Sequence, residues 1–556
     1  MPYDLKIING FIVDGTGTPG FKGDIGIKDG NLVAVGNAPE DAAETLDAKG
    51  KVVSPGFIDL HTHFDAQILW DKKLTVSPWH GVTTVLLGNC GFGVAPTHPE
   101  DREIVLRILE NVEGMSYDCI KEGMGEEWPF ETFPEYLDWM EQNPAQINVG
   151  ALFGHTPART YVMREDSTER AATADEIEQL KDLAKEAMSV GAFGFSSSLV
   201  PSHNGYKGKP VPSRLAAKEE FHAMAKVMAE AGHGLMQITR GEGMQQEELA
   251  ELARISGRPI TWLALLADIH PDNGHREILA ETQAKQNQGL QIYPQVSGRP
   301  VLFEYDMIKP FLLMGHAAFK PIAEADGNKE KIAILFQNDS FRAGIRDVVG
   351  FGIAWDRTEI SYMPHDTNLE GKNLAVLAEE QGVHPTELLL DLALKSDLNA
   401  RYRLEYLNYS DDVVGELLRH PAVVMGLSDA GAHASQLCDA CFTTSLLGKW
   451  VREKNVLSLE QAVNLLSART ADVMGLTDRG RLREGLKADV VIFDADTVNC
   501  TPLERIKDQP AAQTRLISKE VGIDAVLVNG TIIRRHGKDM LADNDPMPGL
   551  LLRSGQ

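Results

Sequence analysis

The chain alternates short apolar runs with longer stretches whose apolar residues recur at helical spacing. Eight runs stand out: Phe57–His61, Val82–Gly88, Ile147–Gly154, Ala192–Ser197, Gly234–Thr239, Pro259–Leu265, Leu290–Val296 and Ala422–Asp429. Between them, Ala174–Val190 and Lys218–Ala231 carry Leu, Ala and Met one helical turn apart, which predicts helices packed on a core. Strand–helix alternation predicts a parallel α/β arrangement. Eight such units predict a (β/α)8 TIM-like barrel, with chemistry at the C-terminal strand ends. The interval before the last run is too long for one unit. Residues 300–420 therefore read as an insertion, a lid or pocket wall.

The two ends of the chain share a different pattern. Leu5-Lys6-Ile7-Ile8-Asn9-Gly10, Asp24-Ile25-Gly26-Ile27-Lys28-Asp29-Gly30 and Val526-Leu527-Val528-Asn529-Gly530 are strand-like segments closed by Asn-Gly or Asp-Gly, a turn signal. Residues 1–55 and 480–556 are accordingly expected to fold together as a small β-sandwich. Residues 56–479 would form the barrel.

Composition narrows the class. With 43% hydrophobic and 24% charged residues, the chain is globular. A formal charge of −26 and the lack of a basic stripe argue against nucleic acid and against an anionic membrane surface. No apolar stretch approaches the roughly 18 residues of a membrane span, and no charged and then apolar leader opens the sequence. Five scattered cysteines do not make a disulfide framework, so a cytoplasmic location is expected. The expected partner is a small-molecule substrate, and a homo-oligomer is compatible with the sequence.

If the runs are barrel strands, their C-terminal ends face one site. The first brings His61 and His63, two apart at a strand end and able to reach one metal ion. The second brings Cys90, a zinc ligand as a thiolate, although a lone cysteine is more often a small core residue. The third brings His155, which is as well explained by a satisfied structural histidine. Arg240 follows the fifth, Tyr293 and Arg299 belong to the seventh, and Asp429 and His433 follow the eighth. Asp429 alone would read as a helix cap. Opposite His61 and His63 it reads as a functional acid, since closure of a barrel sets strands one and eight side by side. Cys438-Asp439-Ala440-Cys441 has no second pair and is read as core.

At Pro55-Gly56-Phe57-Ile58-Asp59-Leu60-His61-Thr62-His63, Ser428-Asp429-Ala430-Gly431-Ala432-His433, Gly485-Leu486-Lys487-Ala488-Asp489-Val490-Val491 and Val526–Gly530, the sequence resembles the amidohydrolase superfamily. His63-Phe64-Asp65, Gly88-Asn89-Cys90, Gly154-His155-Thr156-Pro157-Ala158-Arg159 and Asn368-Leu369-Glu370-Gly371-Lys372 make it similar to the D-aminoacylase (N-acyl-D-amino-acid deacylase) branch. That resemblance implies a distorted (β/α)8 barrel with a β-sandwich, and metal ligation by His61, His63, Cys90 and Asp429. It also implies deacylation of an N-acyl amino acid. The branch places histidines at the fifth and sixth strand ends, where this chain has Gln237-Ile238 and Ala264-Leu265. One Zn2+ ion is therefore expected rather than two.

The expected reaction is metal-dependent hydrolysis of an amide C–N bond beside a carboxylate. The ion would acidify a water. Asp429 would take the water's proton and pass it to the leaving amine, and His155 would steady the oxyanion. Arg240 and Arg299 are the expected partners of a substrate carboxylate, with Tyr293 and His433 also on the substrate. Hydrolysis of a cyclic amide, lactone or carbamate is the nearest alternative. A non-catalytic ligand-binding barrel is the alternative of another class.

Overall fold

The computed structural model describes residues 2–555 except 271–272, 311, 315 and 351. Eight parallel strands form the centre: Phe57–Asp59, Val82–Leu87, Asn148–Gly154, Gly194–Ser198, Leu235–Thr239, Ile260–Leu263, Ile292–Val296 and Val424–Met425. Each pairs with the next in chain order. Thr62, just past the first strand, bridges Ala430, just past the eighth, in parallel. The pairing thus returns to the strand where it began. Val82–Leu87 is buried at every position, as expected of a strand covered on both faces.

Two of the runs differ from the sequence expectation. The third is broken at Leu152, whose N–H bonds to the Leu87 carbonyl. The eighth is only Val424–Met425, because Leu427 (φ 68°) and Asp429 (φ 46°) enter the left-handed region and leave the ladder. Both departures lie at strand ends, where the chain turns its side chains into the centre.

The helices begin and end as their sequences dictate. Ala174–Ser189 opens on a capping box, in which Thr173 Oγ1 accepts from the Glu176 N–H and Glu176 accepts from the Thr173 N–H at 2.7 Å. Residues 100–142 contain the helices Arg102–Glu113, Tyr117–Met124 and Phe133–Gln142. The first buries Val105, Leu106, Ile108 and Leu109, an apolar stripe of helical period.

Strands from both ends of the chain share one nine-stranded sheet. Val490–Phe493 pairs with Val52–Pro55 on one side and with Ile523–Val528 on the other. Asn-Gly residues at 529–530 make the turn into Thr531–Arg535. A buried polar network fastens this sheet to the third central strand. Asp489 pairs with Arg479 at 2.7 Å, accepts from Asn148 Nδ2 at 3.0 Å and from the Asn529 N–H at 2.8 Å. Asn529 Nδ2 donates in turn to Asn148 Oδ1 at 2.8 Å.

Between the seventh and eighth strands, Val301–Asp306, Arg401–Leu407 and Thr358–Tyr362 form an antiparallel sheet with Arg401–Leu407 in the middle. Tyr305, Phe336, Leu389 and Tyr402 belong to its separate core. The insertion is therefore a folded unit. Among the described residues no helix is long and apolar enough to cross a membrane.

Candidate metal centre

His61 and His63, both buried, leave the first strand toward Cys90 and the partly exposed Asp429. The donor atoms of His61, His63 and Cys90 lie within 4.8 Å of one another. Cys90 Sγ is 3.5 Å from His61 Nε2. Asp429 Oδ1 is 3.2 Å from His61 Nε2 and 3.8 Å from His63 Nε2. A tetrahedral ion with bonds of about 2.0–2.3 Å separates its donors by roughly 3.3–3.7 Å, so these spacings suit one divalent cation.

The surroundings orient the donors. Gln295 on the seventh strand donates through Nε2 to Thr261 Oγ1 at 3.2 Å, which turns Oε1 toward His61 Nδ1 at 2.8 Å. His61 therefore carries its proton on Nδ1 and presents the Nε2 lone pair to the cluster. Cys90 sits at φ 56° between Gly88 and Gly91, both also left-handed. Its N–H donates to Gln237 Oε1 at 2.6 Å, so the fifth strand holds the cysteine loop in place. A Cβ on Gly88 would lie 2.4 Å from the Leu152 carbonyl oxygen, which fixes glycine there.

Burial dominates the electrostatics of the cluster. Burial pushes the Cys90 thiol well up, and the charges of Glu113 and Asp429 add to this. Burial, with Asp429 and Asp65, likewise raises Glu113. Burial brings His63 down to about 3, with the His61 charge acting in the same sense, so its imidazole is neutral and free to ligate. Burial opposes ionisation of Asp429, but the imidazoles of His61, His63 and His433 around it outweigh burial and hold it below the ordinary carboxylate range.

Five residues expected at the site have other surroundings or only border it. His155 is engaged at both ring nitrogens, with Ser197 Oγ at 2.8 Å and Glu220 Oε1 at 2.6 Å. Arg159 completes this buried group through Glu220 Oε2, leaving His155 no nitrogen for an oxyanion. Arg240 stacks on Trp262 and bonds to the Met244 carbonyl and Gln245. Arg299 is locked to Asp439 at 2.7 Å. Tyr293 packs against a separate apolar cluster that includes Val473, Met474 and Leu476, and the charge acting on it is that of Asp472. His433 does approach the cluster. Its charge interacts with Asp429, and its N–H donates to the Glu113 carbonyl at 2.5 Å.

Glu113 is the residue that sequence reasoning missed. Its Oε2 lies 3.6 Å from His63 Nε2. The signal was present: positions 105, 109 and 113 form one ridge of the helix, and a carboxylate ends a ridge begun by Val105 and Leu109.

Beside the cluster lies a cavity of about 400 Å³, lined among others by Gly114, Gly431, Gln436, Glu304, Arg401 and Arg505. Buried Glu304 meets Arg505 at 2.6 Å, Arg403 at 3.0 Å and Arg401 at 4.0 Å. Positive charge thus exceeds negative around this carboxylate.

A parallel α/β centre with paired histidines and an aspartate at its strand ends defines a class of metal-dependent hydrolases. The family model described as the amidohydrolase family matches residues 44–301 and 333–534, and the chain belongs to that family. It is an enzyme, a hydrolase of carbon–nitrogen bonds other than peptide bonds. It is 29% identical over 540 residues to the D-aminoacylase of Alcaligenes xylosoxydans xylosoxydans, covering 95% of this chain and 94% of that one. The N-acyl-D-glutamate deacylase of the same organism is also 29% identical, covering 95% and 93%. Among solved structures, N-acyl-D-glutamate deacylase from Bordetella bronchiseptica, complexed with zinc and a phosphonate inhibitor, is 27% identical. It matches with a TM-score of 0.66 over 100% of both chains. A D-aminoacylase structure, 23% identical with a TM-score of 0.67 over 99% of this chain and all of that one, shares the fold.

Proposed function

We propose that this chain is a zinc-dependent deacylase of N-acyl amino acids, with a single ion held by His61, His63, Cys90 and Asp429. The observation that carries this is the clustering of the His61, His63 and Cys90 donor atoms within 4.8 Å of one another, with Asp429 Oδ1 3.2 and 3.8 Å from the two imidazoles. The relatives named as acting on N-acyl-D-amino acids support the substrate class. The cyclic order of strand pairing supports a (β/α)8 barrel, and the shared terminal sheet supports a separate small β-domain. Five free cysteines are in keeping with a reducing cytoplasm.

Bound zinc supplies Lewis acidity, polarising the amide carbonyl and acidifying a water. Asp429, kept ionised, is poised to accept that water's proton through its carboxylate and to deliver it to the departing amine nitrogen. Gln295 holds the tautomer of His61 through this cycle. Arg401, whose guanidinium borders the cavity and is only 4.0 Å from one shared carboxylate, is suited to the substrate carboxylate. Arg240 and Arg299 are spent elsewhere in the fold.

A panel of N-acyl-D- and N-acyl-L-amino acids, hydantoins and lactones tests the substrate class. Amine release from the N-acyl amino acids, with the ring substrates inert, supports the reading; the reverse pattern overturns it.

A further inference from the structure

We propose that Glu113 is a further metal-facing carboxylate, delivered from a helix outside the eight strands and set to join the ion's other donors as a fifth group. The inference rests on the metal reading above. Glu113 and Asp429 approach the same nitrogen of His63. Oε2 of Glu113 is 3.6 Å and Oδ1 of Asp429 is 3.8 Å from His63 Nε2. A carboxylate that only orients a ligating histidine bonds to the opposite ring nitrogen. In His63 that nitrogen, Nδ1, is buried and bonds to nothing among the described residues. Glu113 therefore stands on the coordination side of the ring.

A bound cation would stabilise Glu113 where it stands. It is the last residue of Arg102–Glu113, at the negative end of the helix dipole, where a carboxylate is unfavourable. It is buried, and among the described residues the neutral His63 imidazole is the only basic side chain within 4 Å of its carboxylate. A buried charge must be paired or coordinate a metal. The helix ends at once on Gly114 (φ 59°), and the Glu113 carbonyl accepts the His433 N–H. The helix end is thus tied to the loop that carries Asp429. At the fifth and sixth strands, Gln237 and Thr261 serve instead as supports, for the Cys90 loop and for Gln295. Metal binding and seating of residues 102–113 should therefore be linked.

Metal-free wild type, Glu113→Gln, Glu113→Ala and the exposed control Glu103→Gln are compared for zinc affinity by competition with a chelating indicator, and for thermal midpoint without zinc. Both Glu113 variants are expected to lose roughly 10–100-fold in affinity, and the control to lose none. Without zinc, Glu113→Gln should melt no lower than wild type, because it removes an uncompensated carboxylate. Amide exchange in residues 102–113 should slow on zinc addition in wild type but not in Glu113→Gln. Folded Glu113 variants that bind zinc as tightly as wild type overturn the inference alone. Loss of metal-free folding in both variants makes Glu113 structural and also overturns it. A wild type that binds no zinc overturns the metal reading together with it.

Discussion

His61 shows how a single residue is prepared for its task. Gln295 fixes its proton on one nitrogen and leaves the other facing Cys90 and Asp429. Asp429→Asn should keep the fold and lower kcat by about 10²–10⁴-fold, the range of a lost proton-transfer group, in steady-state assays. Arg401→Ala should raise KM for carboxylate-bearing substrates with little change in kcat, since it removes binding common to ground and transition states. His80 makes a prediction about pH. It is buried between Thr444 Oγ1 and the Ser518 carbonyl, and burial brings it down to about 3. Unfolded, it titrates near 6.5. Its contribution to stability is therefore complete above pH 6.5 and disappears as the pH falls toward 3. In denaturant titrations, His80→Gln should flatten that acid limb by up to about 1.4 kcal/mol per pH unit.

The same scale shows what sequence could and could not reveal. That His61, His63, Cys90 and Asp429 meet was legible because strand ends dictate where they point. His155 and Arg299 were not, since residue type at a strand end does not disclose a prior partner such as Glu220 or Asp439. Glu113 was overlooked because it lies between the eight runs and not at the end of one, although its helical ridge was there to be counted.

Individual elements hold the donors at fixed positions. The Gly88–Gly91 turn carries Cys90 in a left-handed conformation and has no room for a Cβ at Gly88. Gly88→Ala should displace the thiol and weaken zinc binding more than it lowers the thermal midpoint, as read by paired chelator competition and calorimetry. The His155–Glu220–Arg159 group is structural instead. Glu220→Ala strands a fully buried guanidinium and should cost about 3–5 kcal/mol, measured by urea unfolding. The strands and the helices at 174 and 218 were readable from periodicity. The breaks at Leu152 and after Met425 were not, because they arise from how neighbouring strands meet.

Across the whole molecule, two motifs far from the histidines prove to be joints. Asp489 of Gly485–Val491 and Asn529 of Val526–Gly530 bond to each other and to Asn148. The ends of the chain are thereby fastened to the third central strand. Their patterning gave away the terminal strands, but the joint is a contact over hundreds of residues that no local pattern encodes. The insertion, with its own core, supplies Glu304 and Arg401 to the cavity wall, the kind of segment in which binding residues concentrate.

The most direct test is a titration of metal-free enzyme with zinc, following bound metal and amine release from an N-acyl-D-amino acid in the same samples. Release should rise with the first equivalent bound and then level off, and a His61→Ala, His63→Ala double variant should show neither signal. Amine release without metal, or one equivalent bound with no hydrolysis of any N-acyl amino acid, would contradict the account.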